Sequence, residues 1–572
     1  MKDYDTIATD VLVIGGGGAA LRAILAAHDE GADVTVLVKN TFRKSGATFY
    51  SVAEVGAYNV PDGAADEEDN PEVFRQDILR AAQDMADPRL VDILVNEAES
   101  SLRYLEDYGV HFERENDRYL AFRACFSSKP RSHVLKDHFK PIMRALGEEA
   151  TRRGIPAHDR MMVVGLLAED GVCHGALALD DTGRPVVIRA KSVIMTTGGA
   201  SQLFAKNLYP SDITGDGYAM AWRAGAELAN MEFMQAGVSI IDPFINLFGN
   251  YLWDAHPNLT DRDGKPFMED YLPASLTVPE VLQEKERHFP FSASDISRYV
   301  EISIQSAIND GRGTDKGGVH MDFRGCDIDR LLADKSRSFA RMWPLTHSWY
   351  LERGTDLYKD VVQITCSAHA INGGLRIDEN GETSLRGLFA AGETAAGPHG
   401  ADRLGGNMAM TCQVFGARAG RAAARRARSE PATEPRHAIA ELLDYIAGFK
   451  REGDEDGGRI REELQQKANG NLLILRSDDG LTSFQSDIAS LQEGLRVAKA
   501  ESRDDLVHLI ETDNLIETGR MMAKAGLLRR ESRGSHYRED VPQSDPSFAK
   551  SYVLSRHHPE GGYFKSLGSS DR

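Results

Sequence analysis

The chain has 572 residues, 41% of them hydrophobic, which is more than one compact core accommodates, so two or three domains with room for a large cofactor are expected. Its 67 basic and 87 acidic side chains give a formal charge of -20, which repels phosphate backbones and anionic lipid headgroups and argues against nucleic acid as a partner. A local basic pocket for an anionic substrate stays compatible with that average.

In chain order, Met1 to Asp10 carries three aspartates ahead of an apolar strand, unlike a secretory signal. Asp10 to Ile14 reads as that strand, Ala19 to Glu30 as an alanine-rich helix and Ala32 to Val38 as a second strand, together a βαβ unit. Between strand and helix, Gly15, Gly17 and Ala20 fit G-x-G-x-x-G/A. The first glycine permits the tight turn, the second lets backbone approach a pyrophosphate, and the helix N-terminus offers free N–H groups to its charge. Lys39 and Asn40 follow the second strand, where an acidic residue often holds the adenosine ribose, so the loop alone leaves NAD and FAD open.

Leu90, Leu94, Ala98, Leu102 and Leu105 share one face of an expected helix from Pro88 to Tyr108, read as a packed amphipathic element. Met161 to Leu167 and Val186 to Thr196 resemble strands returning to the nucleotide-binding sheet. Small residues at strand ends, in Thr196-Thr197-Gly198-Gly199-Ala200 and Ala390-Ala391-Gly392-Glu393, let backbone pass close to a ligand; with Thr214-Gly215-Asp216-Gly217 they favour FAD. From Gln235 to Leu345 the composition turns richer in Pro, aromatic and charged residues, the mark of an insertion, and Gly373 to Gly420 reads as core again. Beyond Glu430 a polar stretch, Arg451-Glu452-Gly453-Asp454-Glu455-Asp456-Gly457, separates helical patterns. No apolar run reaches the roughly 18 residues of a membrane span. Cys125, Cys173, Cys326, Cys366 and Cys412 form no C-x-x-C pair, so no metal site is expected and the thiols read as reduced and cytosolic. A cytoplasmic protein follows, with any membrane contact made through another subunit.

Three longer motifs stand in order: His399-Gly400-Ala401-Asp402-Arg403-Leu404-Gly405-Gly406-Asn407, Val414-Phe415-Gly416-Ala417-Arg418-Ala419-Gly420, and Glu531-Ser532-Arg533-Gly534-Ser535-His536-Tyr537-Arg538-Glu539-Asp540. With the glycine turn they resemble the flavoprotein subunit of the succinate dehydrogenase and fumarate reductase family, which also contains L-aspartate oxidase. The resemblance implies an α/β fold: a Rossmann-type FAD-binding core (1–234 and 346–430), an inserted α+β capping domain (235–345), and a C-terminal helical domain with its tail (431–572). It places Gly15, Gly17, Gly18, Ala19, Lys39 and Ser45 against FAD, followed by Gly46, Thr48, Gly199, Asp216, Glu393, Arg403 and Asn407. The family's membrane-bound members attach FAD through a histidine in R-S-H-T; Arg43-Lys44-Ser45-Gly46-Ala47-Thr48 has none, so non-covalent FAD is expected.

By the same resemblance Arg403 and His369 hold a substrate carboxylate, an arginine offering a planar bidentate fork, and Arg298, near the family's S-R-D motif, is the candidate proton shuttle. One departure concerns the family's V-Q-F-H-P-T-G segment, whose histidine and threonine hold a second carboxylate. Here Met234-Gln235-Ala236-Gly237-Val238-Ser239 carries neither. A carboxylate substrate other than plain succinate or fumarate is therefore expected, with Gln235 and Ser239, and further off Tyr251, Trp253 and His256, as contacts of its distal group. The expected activity interconverts a C–C single and double bond beside that carboxylate. The alternatives are an L-aspartate oxidase-like amino-acid oxidase and a flavoprotein that relays electrons to an iron-sulfur subunit.

Overall fold

The computed structural model describes residues 4–50, 53, 55–247, 249–449, 453 and 455–568, which leaves Arg451, Glu452 and Asp454 of the polar stretch, and residues 1–3, outside the described residues. The opening strand runs Asp5–Ile14, five residues ahead of its apolar stretch, because its exposed first half still pairs in parallel with Pro185–Met195. Its buried half, Val11–Ile14, also pairs with Val34–Leu37. Seven strands complete this sheet: 157–158, 34–37, 5–14, 185–195, 172–179 and 162–169 in spatial order, with 388–390 added alongside 185–195.

Helix Gly18–Asp29 lies against helix Asn407–Ser429 with little between them. A β-carbon on Gly420 would sit 2.3 Å from the Ala23 carbonyl oxygen and one on Gly416 2.8 Å from that of Ala19. The small residues of the Val414–Gly420 motif thus serve helix contact, and they tie residues about four hundred apart into one layer. The expected helix at Pro88 forms as Pro88–Asp107, with Asp87 capping the Arg89 N–H and proline in the first turn.

A second sheet of five strands takes the order 246–247, 234–242, 361–371, 319–322, 258–260. It extends past residue 345 by the long strand Val361–Ile371. There Gln235 stands opposite Ala370, which carries the start of one strand to the end of the other at the wall of the nucleotide-binding core. Helices Gly457–Ala468, Asp478–Arg496 and Arg503–Leu528 build the C-terminal region, the last two capped by Ser477 and Ser502. No described helix is long and apolar enough to cross a membrane.

Candidate functional site

One elongated cavity runs from the glycine turn to the 403 loop. At its first end Gly15 has φ +117°, and a β-carbon there would lie 2.3 Å from the Thr196 carbonyl oxygen, so no other residue fits. Gly17 precedes helix Gly18–Asp29 and provides no side-chain cap; a β-carbon on it would meet only Thr48 Oγ1, at 3.7 Å. The cavity side of that turn is open, and Gly15, Gly17, Gly18 and Ala19 all line it. Helix Asn407–Ser429 likewise begins without a side-chain cap, with Gly405 and Gly406 on the same cavity. Two uncapped helix N-termini therefore face one space, an arrangement that stabilises a pyrophosphate at one end and electron-rich oxygens at the other.

Lys39, Ser45, Gly46, Thr48 and Asp216 also line this end. Lys39 Nζ donates to Asp216 (2.8 Å) and to Thr214 Oγ1 (2.6 Å) and is ion-paired with Glu511 at 2.7 Å. Burial works against its charge, yet the two carboxylates hold its pKa above the ordinary lysine value. Its visible work is to tie the end of the second strand to helix Asp216–Arg223 and to the C-terminal helix Arg503–Leu528. Thr48 Oγ1 accepts from the Gly18 N–H at 3.2 Å, fixing the loop against the helix start.

Glu393 lines the middle of the cavity and accepts from the Ile371 N–H at 3.0 Å. Burial pushes its pKa up to about 7, against the pull of that hydrogen bond and of Arg403. Gly199 does not line the cavity: a β-carbon on it would meet Glu393 Oε1 at 2.1 Å, so its smallness makes room for that carboxylate. Asn407 also stands behind the wall, its Oδ1 accepting from Asn59 Nδ2 at 2.6 Å, because it is already the first residue of its helix.

Arg403, His369 and Gln235 meet at the other end. Gln235 Nε2 donates to the Arg403 carbonyl at 3.0 Å, a direct product of the strand pairing above. The Arg403 guanidinium donates to the Leu404 carbonyl (3.0 Å), while its Nε is buried without a partner. Burial lowers the Arg403 pKa. Burial, with help from Arg403 and His138, also holds His369 neutral by moving its pKa down to about 3. The C-terminal motif braces this loop from behind, since the Ser535 hydroxyl donates to the Ala401 carbonyl (3.0 Å) and Arg533 is ion-paired with Glu531 at 2.7 Å. Asp402 points away from the cavity and accepts from Ser292 Oγ (2.7 Å), joining the loop to the inserted region; burial moves its pKa to about 7.

Arg298, the expected proton shuttle, is not on the cavity. It opens helix Arg298–Asn309, donates to the Ala293 carbonyl (2.8 Å) and lies over the Tyr299 ring. One residue turns a helix by about 100°, so a one-residue offset from the motif aims the inward direction at Ser297, which is fully buried and 3.1 Å from His288 Nε2. Ser239 is also displaced: it lies four residues along its strand from Gln235, roughly 13 Å, and bonds Ser367 Oγ at 2.7 Å. Tyr251 lines the cavity, whereas Trp253 and His256 do not. Tyr209, Phe289 and His138 line it too and escaped the sequence reading. Tyr209 and Phe289 place their rings 5.4 Å and 6.1 Å from that of His369. Tyr209 and His138 follow no local pattern that marks a ligand wall, and Phe289 comes from a stretch without periodicity.

The open glycine turn, the two helix starts and the buried polar atoms left without partners, Arg403 Nε and Gln413 Oε1, fit FAD in this cavity. Comparison with known proteins agrees on the cofactor. Residues 10–408 match the FAD binding domain and residues 461–563 the fumarate reductase flavoprotein C-term. A fumarate reductase (CoM/CoB) subunit of Methanothermobacter marburgensis is 34% identical over 566 residues, 96% of this chain and 97% of that one. An L-aspartate oxidase of Nostoc is 27% identical over 582 residues, covering 96% and 93%. The solved structure of an E. coli quinol fumarate reductase matches with a TM-score of 0.82 at 25% identity, over 99% of this chain and 98% of that one.

Proposed function

The chain belongs to the flavoprotein family of succinate dehydrogenase and fumarate reductase and is an FAD-dependent oxidoreductase; from that premise we propose that it interconverts a C–C single and double bond beside a carboxylate, on a substrate other than plain succinate or fumarate. The observation that carries this reading is the Arg403 guanidinium, buried without an ion pair among the described residues and facing the same cavity as His369. A buried cation lacking a counter-ion is costly, and a substrate carboxylate relieves that cost through charge-assisted hydrogen bonds.

FAD supplies the hydride exchange when bound. The chain does the rest. Gly15–Gly18 and the start of helix Asn407–Ser429 hold the cofactor's charged and electron-rich groups, and Glu393 accepts from its hydroxyls. Arg403 clamps the carboxylate, neutral His369 adds a hydrogen bond, and Gln235 steadies the Arg403 backbone. Phe289 and Tyr251 keep water out of the same end.

The cofactor is held without a covalent bond, and electrons pass to or from a partner, since the M. marburgensis relative is a subunit by name; an iron-sulfur subunit is the partner this reading expects. Acid precipitation of the yellow protein should leave all flavin in the supernatant, and flavin retained in the pellet would overturn the non-covalent assignment and point to His138. Anaerobic titration of the oxidised protein with a carboxylate panel should perturb or bleach the flavin band, and Arg403→Ala should abolish the response, a loss of about 3 kcal/mol or ~100-fold. Unchanged turnover in that variant removes the reading, and peroxide release with an amino acid would favour the oxidase alternative.

A further inference from the structure

The wall opposite Arg403 determines what else the substrate carries. A β-carbon at Gly237 would lie 2.8 Å from Phe289 Cζ and 3.0 Å from its Cε1. The Phe289 ring therefore fills the space that any side chain at 237 would use, and it faces the cavity. It is 4% exposed and packs in a small apolar cluster with Cys125 and Leu208, flanked by Phe126 and Leu247. Phe122 and Tyr251, with ring centres 6.1 Å apart, continue that surface along the cavity.

The polar groups next to this apolar surface are already engaged, while the open ones, Gln235 Oε1 and the Tyr209 hydroxyl, line the cavity with His369 and carry no charge. Asn250 Nδ2 donates to the Glu286 carbonyl (2.9 Å), the Tyr251 hydroxyl pairs with Thr346 (2.8 Å), and Cys125 Sγ accepts from the Phe289 N–H (3.1 Å). Two cations line the whole cavity among the described residues, and Lys39 is held by Asp216 and Glu511. That leaves Arg403 for the substrate. A second carboxylate set against Phe289 would be a buried charge without a cation to pair with, a heavily penalised arrangement in a protein interior, while an apolar group there gains by leaving water.

We infer that the substrate pair is a 2-enoate and its saturated acid with a single carboxylate and an apolar β-substituent, aryl or alkyl, and that Phe289, Leu247 and Phe122 form the subsite for that substituent. In the reductive direction the enoate gains a hydride equivalent at Cβ from reduced FAD and a proton at Cα, giving the saturated carboxylate and oxidised FAD. The inference rests on the reading above that Arg403 holds a carboxylate.

The test titrates the oxidised holoenzyme with 3-phenylpropanoate, hexanoate and succinate and follows the flavin absorbance difference, which reports binding without turnover. Either monocarboxylate should bind at least ~10-fold more tightly than succinate, the gain expected from burying a phenyl or propyl group. Phe289→Leu should weaken 3-phenylpropanoate several-fold, more than it changes succinate. Reduced holoenzyme should then be reoxidised faster by cinnamate or 2-hexenoate than by fumarate. Succinate binding as tightly as the monocarboxylates overturns the inference but, if still lost in Arg403→Ala, keeps the wider reading. Silence with all three acids overturns both. Should Phe289→Leu fail to fold, the wild-type ranking of the three acids decides alone.

Discussion

The two ends of the cavity are built from different materials. At the glycine turn the groups that face the ligand are backbone: N–H groups at two helix starts and a turn in which a side chain on Gly15 would collide. At the Arg403 end they are side chains, brought from the strand starting at Met234, the strand ending at Ile371, the Phe289 segment and the 403 loop. Backbone recognition tolerates almost no substitution, whereas a wall of side chains is replaced one residue at a time. The glycine turn therefore keeps its motif, while departures from the family's pattern fall on side chains, at the Arg43–Thr48 segment and at Met234–Ser239.

If that contrast holds, the largest effect of a single methyl group is at the turn. Gly15→Ala forces a β-carbon toward the Thr196 carbonyl and a backbone angle that alanine resists. Strain and overpacking of ~1–3 kcal/mol each, ~2–6 kcal/mol together, should weaken FAD binding by ~30-fold to ~10,000-fold, giving protein that purifies with little or no yellow colour. A yellow Gly15→Ala variant would show that side-chain contacts, not the turn, dominate cofactor affinity.

The second effect concerns pH and lies between the two ends. Glu393 has its pKa raised by burial from 4.5 to about 7 in the cofactor-free chain. The folded state thus binds this proton more tightly than the unfolded state. Its contribution is fully present below about pH 4.5 and is lost as pH rises toward 7, a change of about 3 kcal/mol. Denaturation of apoprotein should show stability falling over that window, and Glu393→Gln should flatten the slope. A residual slope is expected from Asp402, whose carboxyl is raised to about 7 in the same direction.

The same contrast explains what could be read before the structure. The βαβ unit, the Gly15–Gly18 turn and the discontinuous core were legible because each depends on residues close in sequence or on glycines whose absence of a side chain is itself the signal. Arg403 and His369 were named through motifs, and the fold brings both to one cavity. Gly199 and Asn407 were named from motifs, which do not say which members face inward: Gly199 makes room for Glu393, and Asn407 is tied to Asn59 through Oδ1 while its buried Nδ2 has no partner. Ser239 was named from the segment that stands in place of V-Q-F-H-P-T-G and Arg298 from its nearness to an S-R-D motif, and the structure sets both off the cavity. Phe289 became visible only when the fold set it over Gly237, 52 positions away in the chain.

A smaller effect sharpens the substrate end. Tyr209 lines the cavity with its ring 5.4 Å from His369, and among the described residues its hydroxyl has no hydrogen-bond partner. Burial and the nearby Glu393 charge keep it protonated, so it is available as a donor to bound ligand. Tyr209→Phe should weaken the binding of a saturated carboxylate by ~10-fold, the worth of one hydrogen bond to a charged group, with FAD content unchanged. An unaltered affinity would assign the hydroxyl to the flavin side of the cavity instead.

The smallest effect is expected at Arg298, and it is the one that divides placement by motif from placement by fold. Its guanidinium donates to the Ala293 carbonyl and lies over Tyr299, outside the cavity wall. Loss of one such contact changes stability by an ordinary amount and leaves the reacting centre alone, so Arg298→Ala should alter kcat by less than ~2-fold at every pH tested. A proton shuttle would behave otherwise, with kcat falling by orders of magnitude while carboxylate binding stayed intact. That outcome would mean that the inserted region turns on binding until helix Arg298–Asn309 presents its first residue to the substrate.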